Sequence, residues 1–348
     1  MNERIYDILA SNKLDALFIS SQPNIAYLTG YPSRESYLLV SQKENIYFTD
    51  SRYTAEARRC LKDCVVKQYN GAFYKTIAEA CNKLKFKRIG FEERYLPFAE
   101  YAKIEAGLSA STEFIPVNSL VEELRKVKSP EELCKIRKAA QITVKTLQYI
   151  NNIIKPGIKE IELAGEIEHF IRHNGAMGAA FEIIVASGPN SSFPHHLTSQ
   201  KKIKRNEPVL IDMGINYEGY KSDLTRVFFL GKMESLLQRI YSIVLSAHDA
   251  AIEKIKPGIK AQEIDLTARN LISKEGFGEF FGHALGHGVG LEVHEGPSIS
   301  KRSNEILEEA MVFTVEPGIY LPGKFGVRFE DTVIVTKKGC EVLNGALN

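Results

Sequence analysis

Net charge is nearly absent from this chain of 348 residues. Its 45 Lys and Arg stand against 43 Asp and Glu, for a formal charge of +2. Such a balance argues against a face built for nucleic acid or an anionic membrane. No apolar run approaches the ~18 residues of a membrane-spanning helix. The opening MNERIYDILA is charged and lacks an apolar core, so no secretory leader is expected and the cytoplasm is the simplest location. Cysteine is sparse. Cys60, Cys64, Cys81, Cys134 and Cys340 are odd in number and contain no C-x-x-C, which points to reduced thiols rather than a disulfide framework. Cys60 and Cys64 have the spacing of helix neighbours.

What is present is ordinary for a soluble globular protein: 44% hydrophobic and 25% charged residues, with a length that suggests two domains. Strand and helix patterns alternate at the start. LDALFIS (14–20), VVKQY (65–69) and RIGFEE (88–93) read as strands, and YLLVS (37–41) with NIYFTD (45–50) as a hairpin pair. SRYTAEARRCL (51–61), AFYKTIAEACNKL (72–84) and YLPFAEYAKIEAGL (95–108) read as helices. This alternation predicts an α/β layer over residues 1–128. Ser129-Pro130-Glu131-Glu132 then predicts a helix start, with Ser129 as cap, Pro130 in the first turn and Glu132 closing a capping box. Leu133, Ile136, Ala140, Val144, Leu147 and Ile150 continue it at helical spacing.

Residues 129–348 contain a repeat. KPGIK occurs at 155 and again at 256, an offset of 101 that Gly175 and Gly276 share. VLIDMG (209–214) has a counterpart in FTVEPG (313–318), and each is followed by a second strand with its own carboxylate, Asp223 or Glu330. The repeat predicts two similar α+β halves around one curved sheet, with Asp212, Asp223, Glu316 and Glu330 at its middle. Four buried carboxylates cannot all ionise there without cations, whereas two divalent ions would balance them.

A fifth ligand candidate lies in GHALGHGVGLEVHEGP (282–297). His287 is flanked by Gly282, Gly286, Gly288 and Gly290, and glycine allows the close backbone approach a crowded site needs. A neutral imidazole suits a first-row divalent ion. The alternation Val289, Leu291, Val293 reads as strand. On a strand His294 would face away from His287, so it needs a bend or a role facing substrate. Taken singly, these residues have plainer readings: Asp212 as a turn aspartate, Asp223 as a cap, Glu330 and Asp331 as a surface pair, His195 and His196 as loop residues, and His283 as structural. The matching order in both halves is what argues for a site.

The segments IDMG with SDLTR, LGHGVGLEVHE, TVEPGIY and VRFED, in order over about 209–331, resemble the prolidase, aminopeptidase P and methionine aminopeptidase family of pita-bread metallopeptidases. NIAYLTGY (24–31) and TDSRY (49–53) resemble the smaller N-terminal domain of prolidase and aminopeptidase P, which methionine aminopeptidases usually lack. The resemblance implies metal ligands at Asp212, Asp223, His287, Glu316 and Glu330, with Asp223 and Glu330 bridging. It places His195 and His294 beside substrate, Arg328 in support of the carboxylates, and Phe181 against the N-terminal side chain. It implies Glu316 carrying a proton toward the leaving imide nitrogen and His294 or His195 stabilising the oxyanion. Substrates would be peptides with proline at position two, and the assembly a homodimer. Mn²⁺ suits so oxygen-rich a site, with Co²⁺ next and Zn²⁺ or Fe²⁺ also compatible.

One departure stands out. Some dipeptide-specific relatives carry an arginine just after H-E-x-P that can hold the substrate carboxylate; HEGPSISKR has Ser298 there, with Lys301 or Arg302 as the cations that could substitute. This favours an aminopeptidase P-like over a dipeptidase reading. Two alternatives on the same fold, a non-catalytic peptide-binding module and a metal-free creatinase-like hydrolase, depart from the full ligand set.

Overall fold

The computed structural model describes residues 4–344. They form two compact units that divide between Arg125 and Lys126.

The first unit is built on a six-stranded sheet in the order Val65–Gln68, Ile46–Thr49, Ser36–Ser41, Ala16–Ile19, Arg88–Glu92, Glu113–Val117. The strand Ser36–Ser41 runs antiparallel to both neighbours and the other pairings are parallel. The central strand Ala16–Ile19 is buried throughout. Ala16 and Phe18 enter one apolar cluster while Leu17 and Ile19 enter another. Helices cover both faces, which is why this strand reads as continuously apolar. The expected strands and helices are found here. The short helix Gln22–Thr29 was not expected. It starts at a Gln-Pro step and ends at Gly30, whose left-handed backbone returns its N–H to Ala26 O. Cys60 closes the helix Thr54–Cys60, but Leu61 turns extended, so Cys64 lies beyond the helix rather than beside Cys60. All five cysteines are free.

In the second unit the duplication is explicit. The helices Pro130–Ile153 and Glu160–His173 are matched by Ser235–Lys254 and Ala261–Lys274. Gly157 and Gly258 both have positive φ, +98° and +85°. Their amides donate to Ile203 O and Leu307 O, each at 2.8 Å. The same local sequence thus makes the same turn and the same hydrogen bond in both halves. The capping box forms as predicted, with Ser129 N donating to Glu132 Oε2 at 2.8 Å and Glu132 N to Ser129 Oγ at 3.3 Å.

Every strand pairing in this unit is antiparallel. One sheet runs Leu224–Phe229, Pro208–Met213, Ile184–Ser187, and another Glu295–Ile299, Gly286–Gly288, Val312–Val315, Asp331–Val335, Cys340–Val342. Where ladders end, single bonds such as Glu330 N to Thr225 O (3.2 Å) join them. Strand alternation decides where the carboxylates point. Val209, Ile211 and Met213 pack into the core of the first half, so Asp212, of opposite parity, faces away from it. Phe313 and Val315 do the same in the second half, which leaves Glu316 on the open face.

No helix among the described residues is long and apolar enough to cross a membrane.

Candidate metal centre

A cavity of about 460 Å³ opens on that face, lined among others by Asp212, Asp223, His287, Glu316, Arg328 and Glu330. Asp212 comes from the strand Pro208–Met213, and Asp223 from the residue before Leu224–Phe229. Glu316 follows Val312–Val315, and Glu330 follows Phe325–Arg328. Asp223, His287 and Glu330 each place one ligand atom within 4.8 Å of the other two. Glu316 joins through His287, with Oε1 3.3 Å from Nε2. Asp212 is turned toward Arg328, whose Nη2 donates to Oδ2 at 2.5 Å.

Each group is oriented from behind. His287 Nδ1 lies 3.2 Å from Gly288 O, an acceptor for its proton, and Nε2 faces Glu316, to which it donates while His287 is protonated; a metal ion would take the place of that Nε2 proton. Thr225 Oγ1 donates to Glu330 Oε2 at 2.6 Å and accepts from Arg328 Nε at 2.9 Å. Arg328 Nη1 donates to Tyr320 Oη at 2.9 Å. His283 Nδ1 sits 2.8 Å from Ala284 O, so its Nε2, 3.0 Å from Tyr320 Oη, is the acceptor for the tyrosine proton.

The electrostatics are those of too many negative charges. Burial, then Glu330, Asp212 and Glu316, push Asp223 well above the usual carboxylate range. Burial, with Glu316 and Asp212, does the same to Glu330. Burial also raises Asp212, against the pull of Arg328. Glu316 goes the other way. Burial acts to raise it, but the His287 hydrogen bond and the charges of His287, His283 and Arg328 together hold it low. Burial keeps His283 and His294 below the ordinary imidazole range.

These residues fit a divalent metal. Asp212 Oδ1 is buried without a hydrogen-bond partner. Among the described residues lining the cavity, Arg328 is the one Lys or Arg facing the four central carboxylates. Oxygen donors with one imidazole are a first-row or hard-cation set.

His287 and His294 are brought together, with ring centroids 4.1 Å apart. The alternating stretch after His287 is not strand: the chain bends back through residues 289–294, and Gly288 pairs with Glu295 across a register shift. Phe181 and His195 line the same cavity. The adjacent histidines part company, because His196 Nε2 lies 3.1 Å from buried Glu160. Glu160 also accepts from Ser187, Asn190 and Ser199, which ties down the loop that carries His195. His283 lines the cavity too, where its sequence setting suggested a structural residue. It stands outside the ligand cluster, in the Tyr320–Arg328 chain. Tyr320 and Thr225 escaped the sequence reading. Each is near a carboxylate in sequence, at TVEPGIY and SDLT, but a hydroxyl there is also ordinary strand composition.

Duplicated α+β halves closing on a carboxylate-rich centre with one imidazole among its ligand candidates define the pita-bread class of metal-dependent hydrolases. The chain belongs to metallopeptidase family M24. That family's model matches residues 134–337, and the creatinase/prolidase N-terminal domain model matches residues 2–127. The chain is 38% identical to the Xaa-Pro dipeptidase of Pyrococcus horikoshii, over 99% of this chain and 97% of that one. Its structure superposes on the Xaa-Pro dipeptidase from Bacillus anthracis with a TM-score of 0.95 at 37% identity, covering 99% and 96% of the two chains. It matches the X-Pro aminopeptidase from Thermotoga maritima MSB8 with a TM-score of 0.89 at 38% identity, covering 98% and 97%. The protein is a peptidase of this family, and members of the family use divalent metals.

Proposed function

We propose that this peptidase removes an N-terminal residue that precedes proline, and that it accepts chains longer than a dipeptide. The observation that carries the reading is the gathering of Asp212, Asp223, His287, Glu316 and Glu330 with His195, His283 and His294 around one cavity. The relatives named above include both a dipeptidase and an aminopeptidase at nearly equal identity, so substrate length rests on the site itself. Ser298, a small neutral residue, lines this cavity and offers no charge to seize a dipeptide's carboxylate.

Asp223, His287, Glu316 and Glu330 would hold two divalent ions, Mn²⁺ suiting them best, with Asp212 completing the set. The ions supply Lewis acidity, polarising the scissile carbonyl and activating water. Glu316 would accept a proton from the attacking water and pass it to the leaving imide nitrogen. His294 and His195 would face the substrate carbonyl and donate to the developing oxyanion. His283, Tyr320 and Arg328 form a chain that keeps the floor of the cavity rigid. Phe181 offers an apolar surface to the substrate's first side chain. We place the enzyme in the cytoplasm as a homodimer.

The test combines metal content with cleavage of Ala-Pro and Ala-Pro-Ala in added Mn²⁺. Cleavage of both, lost on chelation and in Glu316→Ala, is expected. Cleavage of Ala-Pro alone would make the enzyme a dipeptidase. Failure to bind metal and to cut either peptide would overturn the assignment.

A further inference from the structure

A pair of opposite charges is buried behind the bend that carries His294. Lys128 Nζ lies 2.9 Å from Glu295 Oε1, and the two side chains are only 1% and 4% exposed. Lys128 directly precedes Ser129, the cap of the long helix Pro130–Ile153, and its partner stands 167 positions later in the chain. Its ammonium also donates to Lys126 O at 3.2 Å, and its amide donates to Ala310 O at 3.1 Å. The cation is therefore fixed at both its main chain and its tip.

The carboxylate of Glu295 fills the inside of the bend. Its Oε2 accepts from Glu292 N at 3.2 Å. A Cβ on Gly290 would fall 2.3 Å from Oε1, so this glycine leaves the room that the carboxylate occupies. The near limb of the bend is anchored by other means. Val289 N donates to Val312 O at 3.1 Å, Gly290 O accepts from Lys221 N at 2.8 Å, and Leu291 packs against the apolar cluster of Ile136, Val289 and Val312. Residues 291–294 belong to no helix or strand, and Glu295 is the first residue to pair again, with Gly288. A carboxylate buried this deeply is tolerable only beside a counter-charge. Lys128 supplies it. Without that charge Glu295 would turn out toward water and take its neighbour His294 with it.

We infer that Lys128 and Glu295 are positioning residues for His294. Their ion pair closes the bend and holds the imidazole at the cavity, with its ring centroid 4.1 Å from that of His287. Neither residue touches the reacting atoms. The inference rests on the role proposed above for His294, and it assigns to the pair an effect on turnover rather than on substrate affinity, because the oxyanion exists only as the reaction proceeds.

The experiment is a double-mutant cycle on Ala-Pro-Ala cleavage in Mn²⁺, with Lys128→Met, His294→Ala and the two combined. Methionine keeps the length of the lysine stem and removes its charge. Lys128→Met is expected to lower kcat by roughly 10- to 100-fold, the cost of misplacing a reacting group by ~1 Å, with KM little changed. In the His294→Ala background the same substitution is expected to cost less than about twofold, because the imidazole it places is already gone. A role confined to stability would lower the melting temperature and cost the same factor in both backgrounds. That result overturns the inference and leaves His294 in the reaction. Glu295→Gln, which keeps an oxygen for Lys128, runs the same cycle from the other partner should K128M fail to fold, and the same non-additivity is expected. Wild-type kcat in H294A would overturn the role of His294 and the inference together. Wild-type enzyme that leaves the peptide uncut would overturn the Xaa-Pro reading along with both.

Discussion

Arg328 Nη2 donates to Asp212 Oδ2 at 2.5 Å, and the two residues come from opposite halves of the duplicated unit. The same guanidinium reaches Thr225 Oγ1 and Tyr320 Oη. Arg328 is therefore both the counter-charge of the centre and a clasp between repeats. Removing one partner of a buried, hydrogen-bonded charge pair costs about 3–5 kcal/mol. Arg328→Ala should lose that much in urea unfolding carried out in chelator, and Arg328→Lys should recover only part, because an ammonium cannot reproduce the fork. Equal stability of R328A and wild type in chelator would show that the clasp holds nothing.

The carboxylates of the centre oppose folding until a cation joins them. Asp223 is pushed well above its ordinary range by burial and by Glu330, Asp212 and Glu316. A carboxyl raised in this way stabilises the fold below its unfolded pKa and loses that contribution as pH rises through the folded one. Asparagine at 223 mimics the neutral form. Asp223→Asn should raise the melting temperature of the chelated protein at pH 7 and above while weakening Mn²⁺ binding measured by calorimetry. A variant that binds metal as well as wild type would remove Asp223 from the ligand set.

Sequence alone presents four glycines around His287 as equivalent, and the structure separates them. A Cβ on Gly286 would meet Thr314 O at 1.8 Å, and one on Gly288 would meet Gly296 O at 2.1 Å. Both obstacles are backbone. A Cβ on Gly282 meets nothing within 4 Å, and its φ is not left-handed. Gly282→Ala should be neutral or stabilising by about 0.4–1 kcal/mol, whereas Gly286→Ala should lower the melting temperature and displace His287, with loss of metal affinity. Similar melting curves for the two variants would contradict the packing described here.

The N-terminal unit carries its own pH dependence. Glu92 accepts from Ser20 N and Ser21 N, each at 2.8 Å, and from Asn24 Nδ2. Burial nevertheless pushes it up to about 7. Its neutral form is favoured by folding, so its contribution is complete below about pH 4.5 and fades as pH rises through 7. The shift corresponds to about 3 kcal/mol. Stability followed by urea unfolding should fall between pH 5 and 8, and Glu92→Gln should flatten the slope while lowering stability at low pH, because with its oxygen on Ser20 N and Ser21 N its NH2 meets the Asn24 Nδ2 donor. An unchanged slope in E92Q would assign the dependence to other groups.

Much of this protein is legible in its residues. The KPGIK repeat, the apolar strands that end in Asp212 and Glu316, and the capping box at Ser129 are local signals, read over a few residues where backbone preference and side-chain period act directly. They are enough to expect two α+β halves and a carboxylate centre. The bend that brings His294 against His287 is not local. It depends on Gly288 pairing with Glu295 across a bulge, a choice between strand and turn that Val289, Leu291 and Val293 leave open. The separation of His195 from His196 depends on Glu160, more than thirty positions earlier in the chain, whose buried carboxylate gathers the 187–199 loop. The entry of His283 into the cavity depends on Tyr320 arriving opposite it. Composition and period determined which residues are apolar, which turns are tight and which carboxylates lie beside buried strands. Only the tertiary structure decided which polar groups share a cavity, because hydrogen bonds among distant side chains are satisfied by the packing of whole elements and leave no periodic trace in the chain.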